Sequence, residues 1–372
     1  MAKKYFGQQE DLARYHTEFE MNMPLSHIKL SSRKYHEVIN DLTAFMNSNR
    51  EIKRDINYYN WKYMQRPHRL GPIIITTENN HGEIIGSLSL IPHHFMINNV
   101  MDRIGILGDI AVTNMWRRHG IGQRMFRYLL EAEEAKTLRA NFVMPNEAAA
   151  NALAQSNWMT INNMEKYVKL IDVEKRIGNI IKSRWLLKII AIILNHALKA
   201  LTIETYMTSV VGYSGEAANE FDEQFDILWN SVDKSGMIFG VRNKRYLTWR
   251  YANHPAKIYK IFMLKQKSRL CGYIVYHINN DSCYIDDVLF LNGRSLQFYL
   301  FVYFLKYIKS SNITEIILTM NNNDYFNLPL ILFGFIKRPN KWNIMVSVDD
   351  KKNIDHLLNG RSWYITQGDK DT

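Results

Sequence analysis

The amino-acid sequence repeats itself at long range. The segment WKYMQRP at 61–67 shares a W(K/R)YxxxP pattern with WRYANHP at 249–255. Three later pairs of segments also match: GEIIGSLSL with RLCGYIVYHI, ILGDIAV with YIDDVLF, and LAQSNWM with LILFGFIK. The spacing between partners drifts slowly, as expected when loops change length and regular elements do not. The chain is therefore predicted to fold as two copies of one unit.

Both copies predict the same order of elements. An apolar, β-rich run follows each tryptophan, and then come two strands, a long helix, a strand, a short helix and a last strand. Helices are predicted at 34–47, 121–136, 217–231 and 295–309. In the second of these, Ile121, Met125, Leu129 and Ala132 recur at helical spacing, which predicts a buried face.

Length and pattern together predict two tandem domains of the α/β (α+β) class, each a mixed, mainly antiparallel sheet flanked by helices. The first domain is assigned to residues 1–170 and the second to residues 216–372. Residues 171–215 are predicted to be an apolar helical linker. Its most apolar part, WLLKIIAIILNHALKAL, is short for crossing a bilayer and carries two lysines, so we predict no transmembrane helix.

Two interpretations of that apolar stretch remain. With Lys182 and Arg184 in front of it, residues 182–201 could form an interfacial amphipathic helix in contact with a membrane. The sequence favours the other interpretation, a connecting helix buried between the domains.

The formal net charge of +11 favours anionic ligands, nucleic acid or an anionic membrane without choosing among them. Nucleic acid is disfavoured as a partner because lysines and arginines are scattered instead of forming a stripe with interleaved aromatic residues. Cys271 and Cys283 have neither zinc-ligand nor redox-pair spacing, which predicts reduced thiols in a cytoplasmic protein. The amino terminus lacks the apolar core of a signal peptide.

One turn has the features of an anion site. The segment AVTNMWRRHGIGQRMF runs from a predicted strand, ending near Val112, into a helix that begins near Gly120. Glycines let the backbone approach a ligand, and the first N–H groups of a helix have no partner within it. Arg117 and Arg118 add charge-assisted hydrogen bonds. This "glycine turn", residues 117–122, therefore predicts a phosphate or pyrophosphate site.

The turn does not match the P-loop, since Gln123 follows Gly122, nor the dinucleotide fingerprint, since Met125 occupies a position that needs a small residue. It does resemble the (Q/R)xxGx(G/A) pattern of the GCN5-related N-acetyltransferase (GNAT) family, at Arg117, Gly120 and Gly122. The longer segment VTNMWRRHGIG is similar to that family's VxPxxRxxGxG. PNEAAANALAQSNW is similar to its PNxxAxxLYxxxGF, through Pro145, Asn146, Ala149, Ala152 and Trp158.

The resemblance covers about the first 170 residues and implies two tandem GNAT-like domains with an acyl-CoA site in the first. In that family the CoA pyrophosphate binds the glycine turn and the pantetheine arm lies between two splayed strands. The residues so assigned are Ile110, Val112, Arg117, Arg118, His119, Gly120, Ile121, Gly122, Gln123 and Asn146. In the second copy Ser295, Phe298 and Leu300 align with Arg117, Gly120 and Gly122, so we predict that it does not bind CoA.

Catalytic residues are harder to assign. Asp109 is the nearest carboxylate before the turn and is the candidate general base, although a β-bulge would have to set its direction. The alternatives are a structural hydrogen bond and exposure to solvent. The tyrosine that many family members use as general acid aligns at Leu153, which cannot donate a proton.

Other polar residues are interpreted as structural. His93 and His94 are read as surface histidines and no metal site is predicted. Asp286 and Asp287 are read as a solvated strand end, with contact to a cationic acceptor as the alternative.

The resemblance implies an acyl-CoA-dependent N-acyltransferase, with acetyl-CoA as the default donor and a primary amine as acceptor. The doubled architecture and the WRYxxHP element look like those of bacterial enzymes of surface-polysaccharide synthesis, which points to a nucleotide-linked amino sugar. The alternatives are a membrane-peripheral acyltransferase with a lipid-linked acceptor, and a non-catalytic protein that binds CoA or nucleic acid.

Overall fold

The computed structural model describes residues 28–67, 71–178, 181–208, 210–309, 311–348 and 354–370. The amino-terminal segment, for which no signal peptide is predicted, lies outside the described residues. The strands are β1 (Lys29–Arg33), β2 (Ile73–Glu78), β3 (Ile84–Ile97), β4 (Val100–Val112), β5 (Ala140–Val143), β6 (Met159–Leu170), β7 (Tyr213–Ala218), β8 (Ile238–Gly240), β9 (Lys260–Gln266), β10 (Arg269–Asn279), β11 (Ser282–Phe290), β12 (Glu315–Asn321), β13 (Phe335–Arg338), β14 (Asn343–Ser347) and β15 (Trp363–Tyr364).

The α-helices of the described residues, numbered in chain order, are α1 (Tyr35–Ser48), α2 (Ile56–Tyr63), α3 (Ile121–Glu131), α4 (Glu133–Lys136), α5 (Glu147–Ala154), α6 (Glu174–Ile177), α7 (Arg184–Ala200), α8 (Glu223–Ser231), α9 (Lys244–Leu247), α10 (Arg294–Ile308) and α11 (Ile354–Leu358). Both copies follow the predicted order of strands and long helices. In the second copy a 3₁₀ turn at Leu330–Phe333 replaces the short helix.

One continuous sheet runs through the molecule in the order β1-β2-β3-β4-β5-β14-β6-β12-β11-β10-β9-β7. The β4–β5 and β11–β12 pairs, one in each copy, are parallel, and so is β8–β15. The pairs between the other neighbours are antiparallel. The predicted fold class, a tandem α/β (α+β) arrangement of mixed, mainly antiparallel sheets flanked by helices, is confirmed.

The two copies exchange their last strands. β6 ends the first copy in sequence but pairs with β12 of the second, with Leu170 opposite Glu315. In return, β14 of the second copy lies between β5 and β6, with Met345 opposite Val143. The predicted boundaries at 170 and 216 therefore divide the sequence, whereas the hydrogen-bonded sheet continues across both copies.

The two tryptophans that reveal the repeat meet in the core. Trp61 Nε1 donates a hydrogen bond to the carbonyl oxygen of Trp249 at 2.8 Å, and Trp249 Nε1 donates to that of Trp61 at 2.9 Å. Their rings stack with centroids 5.1 Å apart. Reciprocal contacts of this kind are what a twofold axis between two copies generates. The sequence repeat is thus also an approximate symmetry of the fold.

The helix predictions hold with two corrections. The helix predicted at 121–136 is divided into α3 and α4 because Ala132 is extended, with φ −64° and ψ 130°. Its buried face is present, since Ile121, Met125 and Leu129 all lie in the core. The helix predicted at 217–231 begins only at Glu223, because the preceding residues pair with β9 as the edge strand β7.

The favoured interpretation of the apolar linker is wrong. Of the residues in α7, Ala191 alone is buried, while Trp185 and Ile193 are 65% and 61% exposed. Asn195 fixes one side of the helix to the protein, because its Nδ2 donates a hydrogen bond to Asp172 Oδ1 at 2.8 Å. Within the described residues no helix has the length and hydrophobicity needed to span a bilayer.

Candidate functional site

The glycine turn borders a cavity of about 640 Å³ between the end of β4, the start of α3 and α5. Nine of the ten residues that the sequence assigns to acyl-CoA line it: Ile110, Val112, Arg117, Arg118, Gly120, Ile121, Gly122, Gln123 and Asn146. The tenth, His119, does not line it, and its Nδ1 lies 2.9 Å from the carbonyl oxygen of Arg117. The cavity volume is typical of small-molecule sites.

The two glycines of the turn have different reasons to be glycine. Gly120 precedes α3 with a φ of 75°, a left-handed conformation that a side chain would strain. Gly122 has no such backbone requirement. A Cβ atom there would lie 3.9 Å from the Phe126 ring and 4.0 Å from the Cβ of Ala152, which are ordinary contacts. The protein's own packing would therefore accept a side chain at 122, and glycine keeps this part of the cavity open.

The cavity suits an anion. The N–H groups in the first turn of α3 have no acceptor within the helix, and the helix dipole adds positive potential there. Arg117 and Arg118 are exposed at the same end, and Arg117 Nε is anchored to the carbonyl oxygen of Val112 at 3.0 Å. Among the described residues, no acidic side chain lines this cavity.

A second cavity, of about 220 Å³, lies next to the first at the gap between β4 and β5. These strands pair only from Ile104–Ala140 to Ile106–Phe142 and diverge beyond that point. Ile110, Asn146 and Ala149 line both cavities, so the cavities adjoin, and together they are called the groove between the glycine turn and the gap. Such a groove can hold an extended arm beside unpaired strand backbone.

Asp109 lies in the wall of the gap at an irregularity of β4. The register of β3 against β4 shifts between Ser87 and Ser89, and Asp109 has a φ of 48°. This is the β-bulge that the sequence left open, and it turns the carboxylate into the protein. Its Oδ1 lies 2.7 Å from Arg50 Nη2, its Oδ2 lies 2.8 Å from Lys62 Nζ, and the Tyr63 hydroxyl donates to Oδ2.

This cluster fixes the charge of Asp109. Burial raises the pKa of its carboxyl group, but the cations of Lys62 and Arg50 outweigh burial and hold the pKa well below its usual range. A carboxylate with so low a pKa is a weak base. The assignment of Asp109 as general base stays a prediction. Its contacts show that it holds the side chains of Arg50, Lys62 and Tyr63 in place. Lys62 and Tyr63 belong to the repeated tryptophan motif, but nothing in the sequence marks Arg50.

The second copy has a different connection at the corresponding place. α10 begins at Arg294, directly after Gly293, so Gly293 is the counterpart of Gly120. Phe298 and Leu300 lie inside the helix, and the sequence alignment that set them against the two glycines of the turn is wrong. Residues 291–293 alone join β11 to α10, whereas 113–120 join β4 to α3. The shorter connection lacks the basic turn.

Tyrosines occupy the strand gap of the second copy. The Tyr325 hydroxyl accepts a hydrogen bond from the N–H of Phe290 at 3.1 Å and donates to the carbonyl oxygen of the same residue. The Tyr364 hydroxyl donates to the carbonyl oxygen of Val288. The matching residues of the first copy, Ile110 and Val112, face the cavity instead. In the second copy, tyrosine hydroxyl groups therefore bind backbone groups of the strand that lies beside the gap.

The structure also corrects three readings of polar residues. His93 is buried against Tyr246, with ring centroids 4.9 Å apart, and is not a surface histidine. Asp286 and Asp287 are buried and not solvated. Asp287 Oδ1 lies 3.0 Å from Arg242 Nε, and Asp286 Oδ2 lies 2.5 Å from a ring nitrogen of His277.

Two further features bear on the chemistry of the site, the residue at the tyrosine position and the possible metal ligands. Leu153, which aligns with the tyrosine that many family members use as general acid, is fully buried in the core. Among the described residues, no group of three histidine, cysteine, aspartate or glutamate side chains could hold a metal ion.

Comparison with known proteins gives one family match. Residues 35–157 match the model of the acetyltransferase (GNAT) family. No curated protein sequence matches the chain significantly.

Solved structures share the fold across both copies. A probable N-acyltransferase of unknown function from Enterococcus faecalis V583 superposes with a TM-score of 0.63 at 9% identity, over 86% of this chain and 72% of that one. Saccharomyces cerevisiae N-myristoyltransferase with bound myristoyl-CoA gives 0.54 at 10% identity, over 88% and 80%. A tandem GNAT protein from the clavulanic acid biosynthesis pathway gives 0.52 at 11% identity, over 88% and 100%. At such identities these similarities concern the fold alone.

Proposed function

We propose that this protein, whose residues 35–157 match the acetyltransferase (GNAT) family, transfers an acyl group from acyl-coenzyme A to a primary amine. The observation that carries the proposal is the groove made by the two adjoining cavities at the glycine turn and at the gap between β4 and β5. Its open end is positive and its far end lies beside unpaired backbone, which matches a ligand with a diphosphate at one end and an extended arm at the other.

The donor proposed is acetyl-CoA, which supplies a thioester carbonyl. The residues assigned to it are those of the glycine turn, Ile110 and Val112 of β4, and Asn146. Gly122 supports the assignment because the fold itself does not need a glycine there. The second copy would bind no CoA, since Tyr325 and Tyr364 hold the corresponding backbone groups.

In the proposed reaction the amine nitrogen attacks the thioester carbonyl carbon, the C–N bond forms and the C–S bond breaks. Backbone N–H groups of β4 near the gap would stabilise the developing oxyanion. The thiolate of CoA is a good leaving group, so transfer does not require a tyrosine at the position of Leu153. The ammonium proton passes to solvent or to Asp109, whose low pKa makes it a weak acceptor.

For the acceptor we propose an amine that carries phosphate, with a nucleotide-linked amino sugar as the leading candidate. Lys370 lines the gap cavity, where the charges of Arg50 and Asp109 balance each other, and its cation together with the formal net charge of +11 would attract an anionic substrate. The acyl chain length is left to experiment.

The test is mass spectrometry of a panel of amines incubated with acetyl-CoA and the purified protein. The panel contains nucleotide-linked amino sugars, free amino sugars, polyamines and aminoacyl compounds. We expect one product with the mass of a single added acetyl group, and no product with a Gly122→Val variant. Calorimetric binding of acetyl-CoA without any acylated product would instead indicate a non-catalytic CoA-binding protein, and no binding at all would refute the proposal.

One observation favours a second candidate function, transfer to a lipid-linked amine. The apolar side of α7 faces outward and could bring the protein to a membrane that holds such an acceptor. Adding a lipid-linked amino sugar to the same panel distinguishes the two acceptors.

A further inference from the structure

Helix α7 presents its apolar side to solvent. Trp185, Ile189, Ile192 and Ile193 are spaced as neighbours on one side of a helix, and between 47% and 65% of each is exposed. This set, with Leu186 beside it, is called the outer face. A soluble helix normally has its apolar side against the core. In α7 a large apolar side is exposed to solvent together with the basic residues.

Contacts on the opposite side hold this orientation in place. Ala191 packs inward, and Asn195 Oδ1 accepts a hydrogen bond from the N–H of Val173 at 3.0 Å. At the end of the helix, buried Glu204 lies 3.0 Å from Lys169 Nζ. A rotation that buried the outer face would break the Asn195 contacts. The exposure of the outer face is therefore built into the fold.

The charged residues of the sequence segment that contains α7 are of one sign. Between Glu174 and Glu204 the sequence contains no acidic residue, and its basic residues are Lys175, Arg176, Lys182, Arg184, Lys188 and Lys199. The last four are exposed. An apolar face with cationic margins complements the surface of a bilayer that contains anionic lipid, because the side chains enter the acyl boundary while the cations stay with the head groups.

We infer that α7 binds this protein to the surface of an anionic lipid bilayer through its outer face. The helix lies in the plane of the interface and does not span it, which agrees with its length of 17 residues and its flanking charges. This inference does not depend on acyl transfer, and its test needs no measurement of enzyme activity.

The experiment is co-sedimentation of the full-length protein with vesicles of phosphatidylcholine alone or of phosphatidylcholine mixed with phosphatidylglycerol. The wild type should pellet with the mixed vesicles, less with phosphatidylcholine alone, and less when salt is raised. Ile192→Glu should lower the apparent partition coefficient about tenfold or more. It removes an aliphatic side chain that enters the bilayer and adds a negative charge that the anionic lipid repels.

The chain offers a matched control. Ile227 lies on helix α8 and is 57% exposed, the same value as Ile192. Ile227→Glu should pellet like the wild type. Circular dichroism and thermal unfolding of both variants check that neither substitution changes the fold.

Trp185 gives a second, spectroscopic readout. It is 65% exposed, whereas the other tryptophans of the chain are buried or half-buried. Mixed vesicles should shift the emission of the wild type to shorter wavelength, and the shift should be lost in Trp185→Phe.

Three results would overturn the inference. The first is a wild type that stays in the supernatant with mixed vesicles, and the second is an Ile192→Glu variant that pellets as the wild type does. The third is a wild-type dimer in light scattering that Ile192→Glu converts to monomer without any vesicle binding, which would make the outer face an interface between two copies of the chain.

Discussion

Replacing Gly122 by valine tests directly whether the glycine turn binds an anion. A Cβ atom at this position meets Phe126 at 3.9 Å and Ala152 at 4.0 Å, so the two further methyl groups of valine extend into the cavity with little strain in the protein. Glycine and valine differ by less than about 0.5 kcal/mol in helix propensity, with valine the better residue. The free energy of unfolding should therefore change by no more than about 1 kcal/mol.

The effect on binding should be much larger. A side chain at 122 keeps a phosphate from the N–H groups at the start of α3 and removes about two charge-assisted hydrogen bonds, each contributing about 1.5–3 kcal/mol. Together they correspond to a Kd for acetyl-CoA that is raised about 100-fold or more. Isothermal titration calorimetry measures this directly, and urea unfolding measures stability in the same samples.

Gly71 supplies the control for this substitution. It has no positive φ, and nothing lies within 4 Å of a Cβ built there. Gly71→Val should leave both the affinity and the stability unchanged. If Gly122→Val binds acetyl-CoA as tightly as the wild type, the reasoning that places a phosphate on this turn is refuted.

Three further predictions concern stability. Asp109→Asn leaves the Lys62 ammonium buried without its carboxylate and should lower the free energy of unfolding by about 3–5 kcal/mol in urea titration, with partial recovery in the double variant with Lys62→Met. Burial, together with nearby Arg250, lowers the pKa of His254 from 6.5 to about 3. Between these pH values the imidazole is protonated in the unfolded chain but not in the folded protein, so the free energy of unfolding should decrease as the pH falls from about 6.5 towards 3. Trp61→Phe leaves a buried carbonyl group without its donor and should cost about 1–3 kcal/mol.

Each of these has a result that would contradict it. The prediction for Asp109→Asn is contradicted if the variant has the same urea unfolding midpoint as the wild type. For His254 the contradicting result is a His254→Asn variant whose stability varies with pH as steeply as the wild type over the same range. For Trp61 the comparison is the exposed Trp185→Phe, and an equal effect of the two substitutions would show that the reciprocal hydrogen bonds contribute nothing measurable.

The sequence predicted the first copy's candidate site better than the second copy's counterpart, because backbone conformation and local spacing decide the structure of the first. The glycines, the following amphipathic helix and the second motif near Asn146 are local patterns, and nine of the ten residues assigned from them surround one cavity. Prediction failed in the second copy because the alignment there had no glycine pair to fix it. The start of α10 at Arg294 became visible only in three dimensions.

Long-range partners decided the remaining features. Asp109 was visible as a carboxylate, but its basicity depends on Arg50, which is distant in sequence and carries no motif. The apolar pattern of α7 correctly indicated an amphipathic helix, yet which side faces outward depends on Asn195 and its contact with Asp172. Hydrophobic periodicity gives the angular width of an apolar side, and only the surrounding structure determines whether that side is covered.

What the sequence determined by itself was a doubled α/β unit and the glycine turn that opens a long helix in its first copy, since both depend on short-range spacing along the chain. The tertiary structure decided how the copies share one sheet through exchanged strands, why Tyr325 and Tyr364 fill the second strand gap, and where the charge of Asp109 is neutralised. These outcomes depend on hydrogen bonds and ion pairs between residues far apart in sequence, and no local pattern specifies such partners.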